Sequence, residues 1–174
     1  HRRQRQMCIR DRALAAEMTE GHGANYGNVV LVSISTGIGT AAAFNGVPIE
    51  IRSEMGHQRI GVIGAEAAKC INHSNCWASM CSGKAMSKKE GSLDLDLIKS
   101  ANLEAFINIA AAYDPEVIVV MGGVGVGLFN QVIPVQRDLA AVSLLGSAPL
   151  ILKTNLGDDI GAIGAVKLAR SAWI

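Results

Sequence analysis

A chain of 174 residues is long enough for one domain or one large lobe and leaves no room for a second full domain. With 49% apolar and 18% charged residues, 19 glycines and a net charge of +1, it excludes a disordered tail and a basic nucleic-acid-binding face, and describes a compact, glycine-rich piece. The longest apolar run, VIVVMGGVGVGLF at 117–129, is too short to span a bilayer and is broken by glycines, so no membrane span is expected.

In chain order, HRRQRQMCIR at 1–10 is basic but is followed by no apolar h-region, so no signal peptide is read. The expected compartment is the cytoplasm, where four cysteines are reduced thiols or metal ligands. MCIRDR at 7–12 matches what the end of a transposase sequencing adapter encodes in one frame. Residues 1–12 are therefore expected to be adapter-like and non-native, joined to a gene entered mid-protein. ALAAEM at 13–18 has the composition of the tail of a helix. After the loop GHGANYG comes a β-branched strand, NVVLVSI at 28–34, a glycine-rich turn, STGIGT, and a second strand, AAAFNG at 41–46, which together make a hairpin. SLDLDLIKSANLEAFINIAAAY at 92–113 has apolar residues at helical intervals, with Ser92 or Asp94 as cap. EVIVVM at 116–121 is a buried strand, GGVGVG the turn after it, and LFNQVIPVQRDLAAV a helix bent or stopped at Pro134. PLILKT at 149–154 and IGAIGAVKLARSAW at 160–173 close the chain as strand and small-residue helix. Strands first, then alternating helix and strand, predict an α/β lobe.

Chemistry concentrates in three places. In STGIGT, 35–40, glycines let the backbone approach an anion, while free N–H groups and the Thr36 hydroxyl point at phosphate oxygens. The same bend also arises for purely structural reasons. MGGVGVG at 121–127 follows a buried strand, where α/β sheets bind ligands, but its glycines lack the G-x-G-x-x-G spacing of a dinucleotide site. The third place, 53–81, gathers Glu54, His57, Cys70, His73, Cys76 and Cys81. Zinc asks for four nitrogen or thiolate ligands; the other reading of these residues is inert core thiols and a core histidine.

The order TGIG, a hairpin ending in NG, ExGH, a cysteine cluster followed by SGKAM, DPEVIVVMGGVG and LGDDIGAIGAVKLA resembles the ROK family of sugar kinases and sugar-responsive repressors, over about residues 13–172. The resemblance implies an actin-like, ribonuclease-H-like α/β fold, of which residues 13–174 are the C-terminal lobe. The implied reaction is transfer of the ATP γ-phosphate to a hexose or N-acylhexosamine hydroxyl. Glu54 and His57 match the family's sugar-binding acid and histidine. Thr36, Gly37 and Gly39 match its phosphate loop, and Gly122 and Gly123 the turn against which adenosine lies. ATP with Mg²⁺ is the implied cofactor pair. A structural Zn²⁺ is implied on His57, Cys70, Cys76 and Cys81, with His73 as an alternative ligand. The implied partners are the sugar and ATP in the full-length parent, and a second copy of the chain, with no nucleic acid bound by this lobe.

The departures carry equal weight. The family's C-x-C-G-x-x-G-C-x-E reads KCINHSNCWASMC here. In that register Cys76 is the last family cysteine, and Ala78 stands where the family has a sugar-binding glutamate. The stretch between SGKAM and DPE is also short. The family's general base is an aspartate about eight residues before the glutamate matching Glu17, a register that falls on Ile9. Asp11 stands two residues away, about 200° around a helix, and is not expected to be that base. The expectation is therefore a fragment of a sugar kinase that is inactive as written. The alternative is the sugar-sensing lobe of a ROK transcriptional repressor.

Overall fold

The computed structural model describes residues 9–49, 53–62, 70, 74–88, 91–141 and 147–171. Among them, five strands form one sheet in the order β3-β2-β1-β4-β5: β1 is Val29–Ile34, β2 Ile38–Phe44, β3 Val47–Pro48, β4 Val117–Met121 and β5 Leu150–Lys153. β1 and β2 are antiparallel, with Val29 opposite Ala43 and Ile34 opposite Ile38. β1, β4 and β5 run parallel, Val29 beside Val117 and Val117 beside Leu150. The hairpin turn is tighter than its six-residue motif suggests, because β2 already starts at Ile38.

Helices cover both faces. α1 (Ile9–Glu20) and α8 (Ile160–Ser171) pack on one; α2 (Trp77–Cys81), α4 (Leu95–Tyr113), α6 (Phe129–Val132) and α7 (Gln136–Ala140) pack on the other. The alternation of strand side chains sorts the residues between two cores. Val30, Val32, Ile34, Ile118 and Val120 meet Trp77, Ile98, Phe106, Ile109 and Leu139. Val29, Leu31, Val117 and Val119 meet Ala13, Leu14, Ala16 and Ile160. Each such aliphatic or aromatic side chain contributes about 1.5–3 kcal/mol by leaving water.

The terminal helices meet through their small residues: a Cβ placed on Gly164 would overlap the Arg12 carbonyl. α1 starts at Ile9, ahead of the predicted tail, so there is no break in the helix at residue 13. Of the two predicted caps, Asp94 takes the role on α4, its Oδ1 accepting from the Leu97 N–H at 2.9 Å. Asp114 closes the helix in a left-handed conformation, φ 41°. Pro134 divides the segment after β4 as expected: α6 ends in extended Ile133, and α7 starts afresh.

GGVGVG differs from its expected turn. Residues Gly123–Gly127 form a short helix, α5. Glycine is a poor helix former, and packing explains its presence: a Cβ on Gly125 would lie 2.8 Å from Val120 Cγ1. No helix among the described residues is long and apolar enough to cross a membrane.

Candidate functional site

The β1–β2 turn lies at the carboxyl end of β1, and two backbone hydrogen bonds fasten α3 (Gly83–Met86) beside it. The Gly83 N–H donates to the Ser35 carbonyl at 2.7 Å and the Lys84 N–H to the Thr36 carbonyl at 3.2 Å. The approach leaves a Cβ on Gly83 only 3.0 Å from the Ser35 oxygen. Ser82 caps α3, accepting from the Ala85 N–H at 3.2 Å. Across the turn, Gly122 at the end of β4 has φ 88°, and its Cβ would sit 2.5 Å from the Ile34 oxygen, so two features demand glycine there.

Between these elements lies a cleft of about 390 Å³ lined by Ser35, Thr36, Gly83, Lys84, Ser87, Gly123 and Val124. Of the five residues expected on a phosphate and adenosine wall, Thr36 and Gly123 line it. Gly37 is exposed at the turn beside it, and Gly122 lies behind it against β1. Gly39 is turned elsewhere: it pairs with Ser33 inside the hairpin, and its missing Cβ makes room for the Arg10 side chain. Ser35 in STGIGT and Lys84 in SGKAM were given no role of their own by the sequence, and Ser87 stands outside both motifs; the docking of α3 brings Lys84 and Ser87 to the turn.

The second group surrounds the 3-10 turn Met55–His57. Gly56 holds it against β2, since a Cβ there would overlap the Ile38 carbonyl. Behind it, Ser53 Oγ hydrogen-bonds Thr40 Oγ1 at 3.0 Å and Tyr113 Oη at 2.8 Å, tying the loop to β2 and α4. Glu54 is exposed, with Oε1 3.5 Å from Arg10 Nη2. Arg10 Nη1 also donates to the Ser53 carbonyl at 2.9 Å, so α1 braces this loop.

His57 Nδ1 lies 3.9 Å from Cys70 Sγ and 3.8 Å from Cys76 Sγ. The three ligand atoms all fall within 4.8 Å of one another. A tetrahedral zinc with bonds of about 2.0–2.3 Å separates its nitrogen and sulfur ligands by about 3.6 Å, so the donor set fits such an ion. Burial pushes the Cys76 thiol up; hydrogen bonds from Ser79 oppose this, and neighbouring Cys70 adds to it. Without a cation Cys76 is held as a thiol, and metal binding has to displace its proton.

Cys81 corrects the expected ligand set. It is buried in the core, and its Sγ donates to the Ile98 carbonyl at 3.7 Å. The reason is helical geometry: five residues along α2 from the capping Cys76 turn a side chain by about 140°, away from His57 and toward α4. His73 lies outside the described residues. Asp11 is exposed on α1, and Ile9, in the register of the family's base, is 66% exposed.

The fold has counterparts among known proteins. The family model described as "ROK family" matches residues 8–105, more than half of the chain. No curated protein matches in sequence at a significant level. The ROK hexokinase from Thermus thermophilus superposes with a TM-score of 0.74 at 19% identity, covering 94% of this chain and 65% of that one. A ROK-family glucokinase from Streptomyces griseus, solved with glucose and AMPPNP, gives 0.68 at 18% identity, covering 94% and 67%. A ROK-family transcriptional regulator, a homologue of the E. coli MLC protein, gives 0.67 at 19% identity, covering 93% and 50%. The chain thus spans between half and about two thirds of the structures it matches, and its fold is their α/β, actin-like one. With a matching family model over residues 8–105, more than half of its length, this chain belongs to the ROK family.

Proposed function

We propose that the chain is the C-terminal lobe of an ATP-dependent sugar kinase, cytoplasmic, acting on a hexose or N-acylhexosamine. The observation that supports this best is the cleft at the carboxyl ends of β1 and β4, lined by both Thr36 and Gly123. Parallel strand ends at a change of direction in the sheet are where α/β folds bind ligands. In this reading Thr36 and Gly37 belong to the phosphate loop, Gly39 shapes the hairpin behind it, and Gly122 and Gly123 belong to the adenosine wall. Mg²⁺ arriving with ATP neutralises phosphate charge.

Glu54 and His57 read the sugar: a carboxylate accepts hydrogen bonds from hydroxyls, and an imidazole donates one through a protonated nitrogen. His57, Cys70 and Cys76 hold a structural zinc, with His73 as the remaining candidate ligand, fixing the loop that carries Glu54. In the reaction the sugar hydroxyl oxygen attacks the γ-phosphorus. The bond to the β–γ bridging oxygen breaks, ADP leaves, and the hydroxyl proton passes to a carboxylate base. In this chain the register of that base holds Ile9, so the lobe is inactive by itself and needs a base and an opposing wall from elsewhere.

The test is saturable binding of a fluorescent N-methylanthraniloyl ATP to this chain, followed by phosphorylation of glucose and N-acetylmannosamine by the full-length parent. Absence of nucleotide binding to a folded chain would sink the kinase reading. The second reading, a sugar-sensing repressor lobe, is favoured by Ala78 in place of a sugar glutamate and by the solved regulator at a TM-score of 0.67. It predicts sugar binding by the parent with no phosphoryl transfer.

A further inference from the structure

The cleft beside α3 has a charge pattern that its glycines do not explain. Of the residues lining it, Ser35, Thr36 and Ser87 bring hydroxyls, Gly83 and Gly123 bring bare backbone, Val124 is apolar, and Lys84 alone carries a formal charge. Among the described residues no carboxylate lines it and none pairs with Lys84. The position of Lys84 is set from both sides. Its N–H is bonded to the Thr36 carbonyl, and the preceding Gly83 is pressed against Ser35. The lysine is therefore fixed at its backbone beside Thr36, while its side chain is exposed and lines the cleft. Ser87, three residues on, faces the same space.

An ammonium among hydroxyl donors, with no acid beside it among the described residues, selects a ligand rich in anionic oxygens. We infer that Lys84 is the cationic contact for a linear polyphosphate moiety in this cleft, with Ser87 as an accompanying donor, and that it makes the site read phosphate number. The inference rests on the nucleotide-side reading above. The shared chemistry is a chain of phosphates, carried by a nucleoside triphosphate or by an inorganic polyphosphate. A contact of this kind raises affinity with each added phosphate and weakens with salt.

The experiment is calorimetric titration of the whole chain, and of its Lys84→Gln, Lys84→Arg and Thr36→Val variants, with ATP, AMP and inorganic tripolyphosphate. Lys84→Gln is expected to weaken ATP and tripolyphosphate by about tenfold while leaving AMP within about twofold. Lys84→Arg retains most of the affinity, and the salt dependence of ATP binding is shallower in Lys84→Gln. Tripolyphosphate binding as tight as ATP identifies an inorganic chain as a sufficient ligand; ATP binding alone with the same Lys84 dependence identifies the nucleotide. If Lys84→Gln binds both ligands like the unaltered chain while Thr36→Val loses them, the role of Lys84 is overturned and the nucleotide reading stands. If the unaltered, folded chain binds neither, both fall together. Circular dichroism of each variant checks the fold, which an exposed side chain leaves intact.

Discussion

Asn102 Oδ1 accepts a 2.7 Å hydrogen bond from the Trp77 indole N–H, and the same amide donates through Nδ2 to the Val132 carbonyl at 2.9 Å. One buried side chain thus joins α2, α4 and α6 at the centre of the larger core, where Trp77 also stands edge-on to Phe106 with ring centroids 5.8 Å apart. Asn102→Leu leaves an indole donor and a carbonyl acceptor buried without partners, at about 1–3 kcal/mol each. Urea denaturation is expected to show a total loss of about 2–6 kcal/mol. A neutral Asn102→Leu would contradict the bridge.

Two glycines of α8 separate packing from propensity. Gly164 faces the Arg12 backbone with no room for a methyl group, whereas a Cβ on Gly161 would meet nothing within 4 Å. Gly164→Ala is expected to destabilise by about 1–3 kcal/mol through overpacking, and Gly161→Ala to stabilise by about 0.4–1 kcal/mol. Thermal melts of the two variants should move in opposite directions.

Across the same helix pair, Lys167 is ion-paired with Glu20. The hydrogen bond from Lys167, and then its charge, hold the Glu20 carboxyl below its ordinary value of 4.5. The folded value lies under the unfolded one, so the pair's contribution is complete above the ordinary carboxylate range and disappears as pH falls through the lowered value. Glu20→Gln should therefore melt slightly below the unaltered chain at about pH 6 and converge with it near about pH 3. Both groups meet water, so about 1 M salt should erase the difference even at neutral pH.

Cobalt or zinc binding tests the donor cluster. Cys70→Ser and Cys76→Ser are each expected to weaken the metal on the order of 100-fold or more, with loss of the thiolate-to-cobalt absorption band. Cys81→Ser should keep that band and cost about 1–2 kcal/mol of stability, since it places a hydroxyl in an apolar core. Loss of the metal in Cys81→Ser would return that cysteine to the ligand set.

The parts of this lobe governed by local periodicity were readable. Val29 to Ile34 and Val117 to Met121 are β-branched runs with no competing helical pattern. α4 carries both its apolar stripe and its cap in plain text, as Asp94 shows. What escaped reading depends on neighbours distant in sequence. Gly123–Gly127 form a helix because Gly125 fits under Val120 and Ile34, which overrides glycine's preference for turns. Lys84, although part of SGKAM, and Ser87 acquire meaning only beside Thr36. Spacing could gather His57, Cys70, Cys76 and Cys81 into one stretch, but the direction in which Cys81 points is a property of α2. Arg10, which braces Ser53 and Glu54, lies in a segment expected to be foreign to the fold.

The smaller core has α1 and α8 as its lid, one contributed by the first described residues and the other by the last. During synthesis, the sheet face bearing Val29, Leu31, Val117 and Val119 stays half-dressed until α8 leaves the ribosome. Its completion waits on the longest-range contact in the lobe, the kind whose loop-closure entropy slows folding most. Ribosome-stalled chains ending before Ile160 are where a chaperone would find this protein.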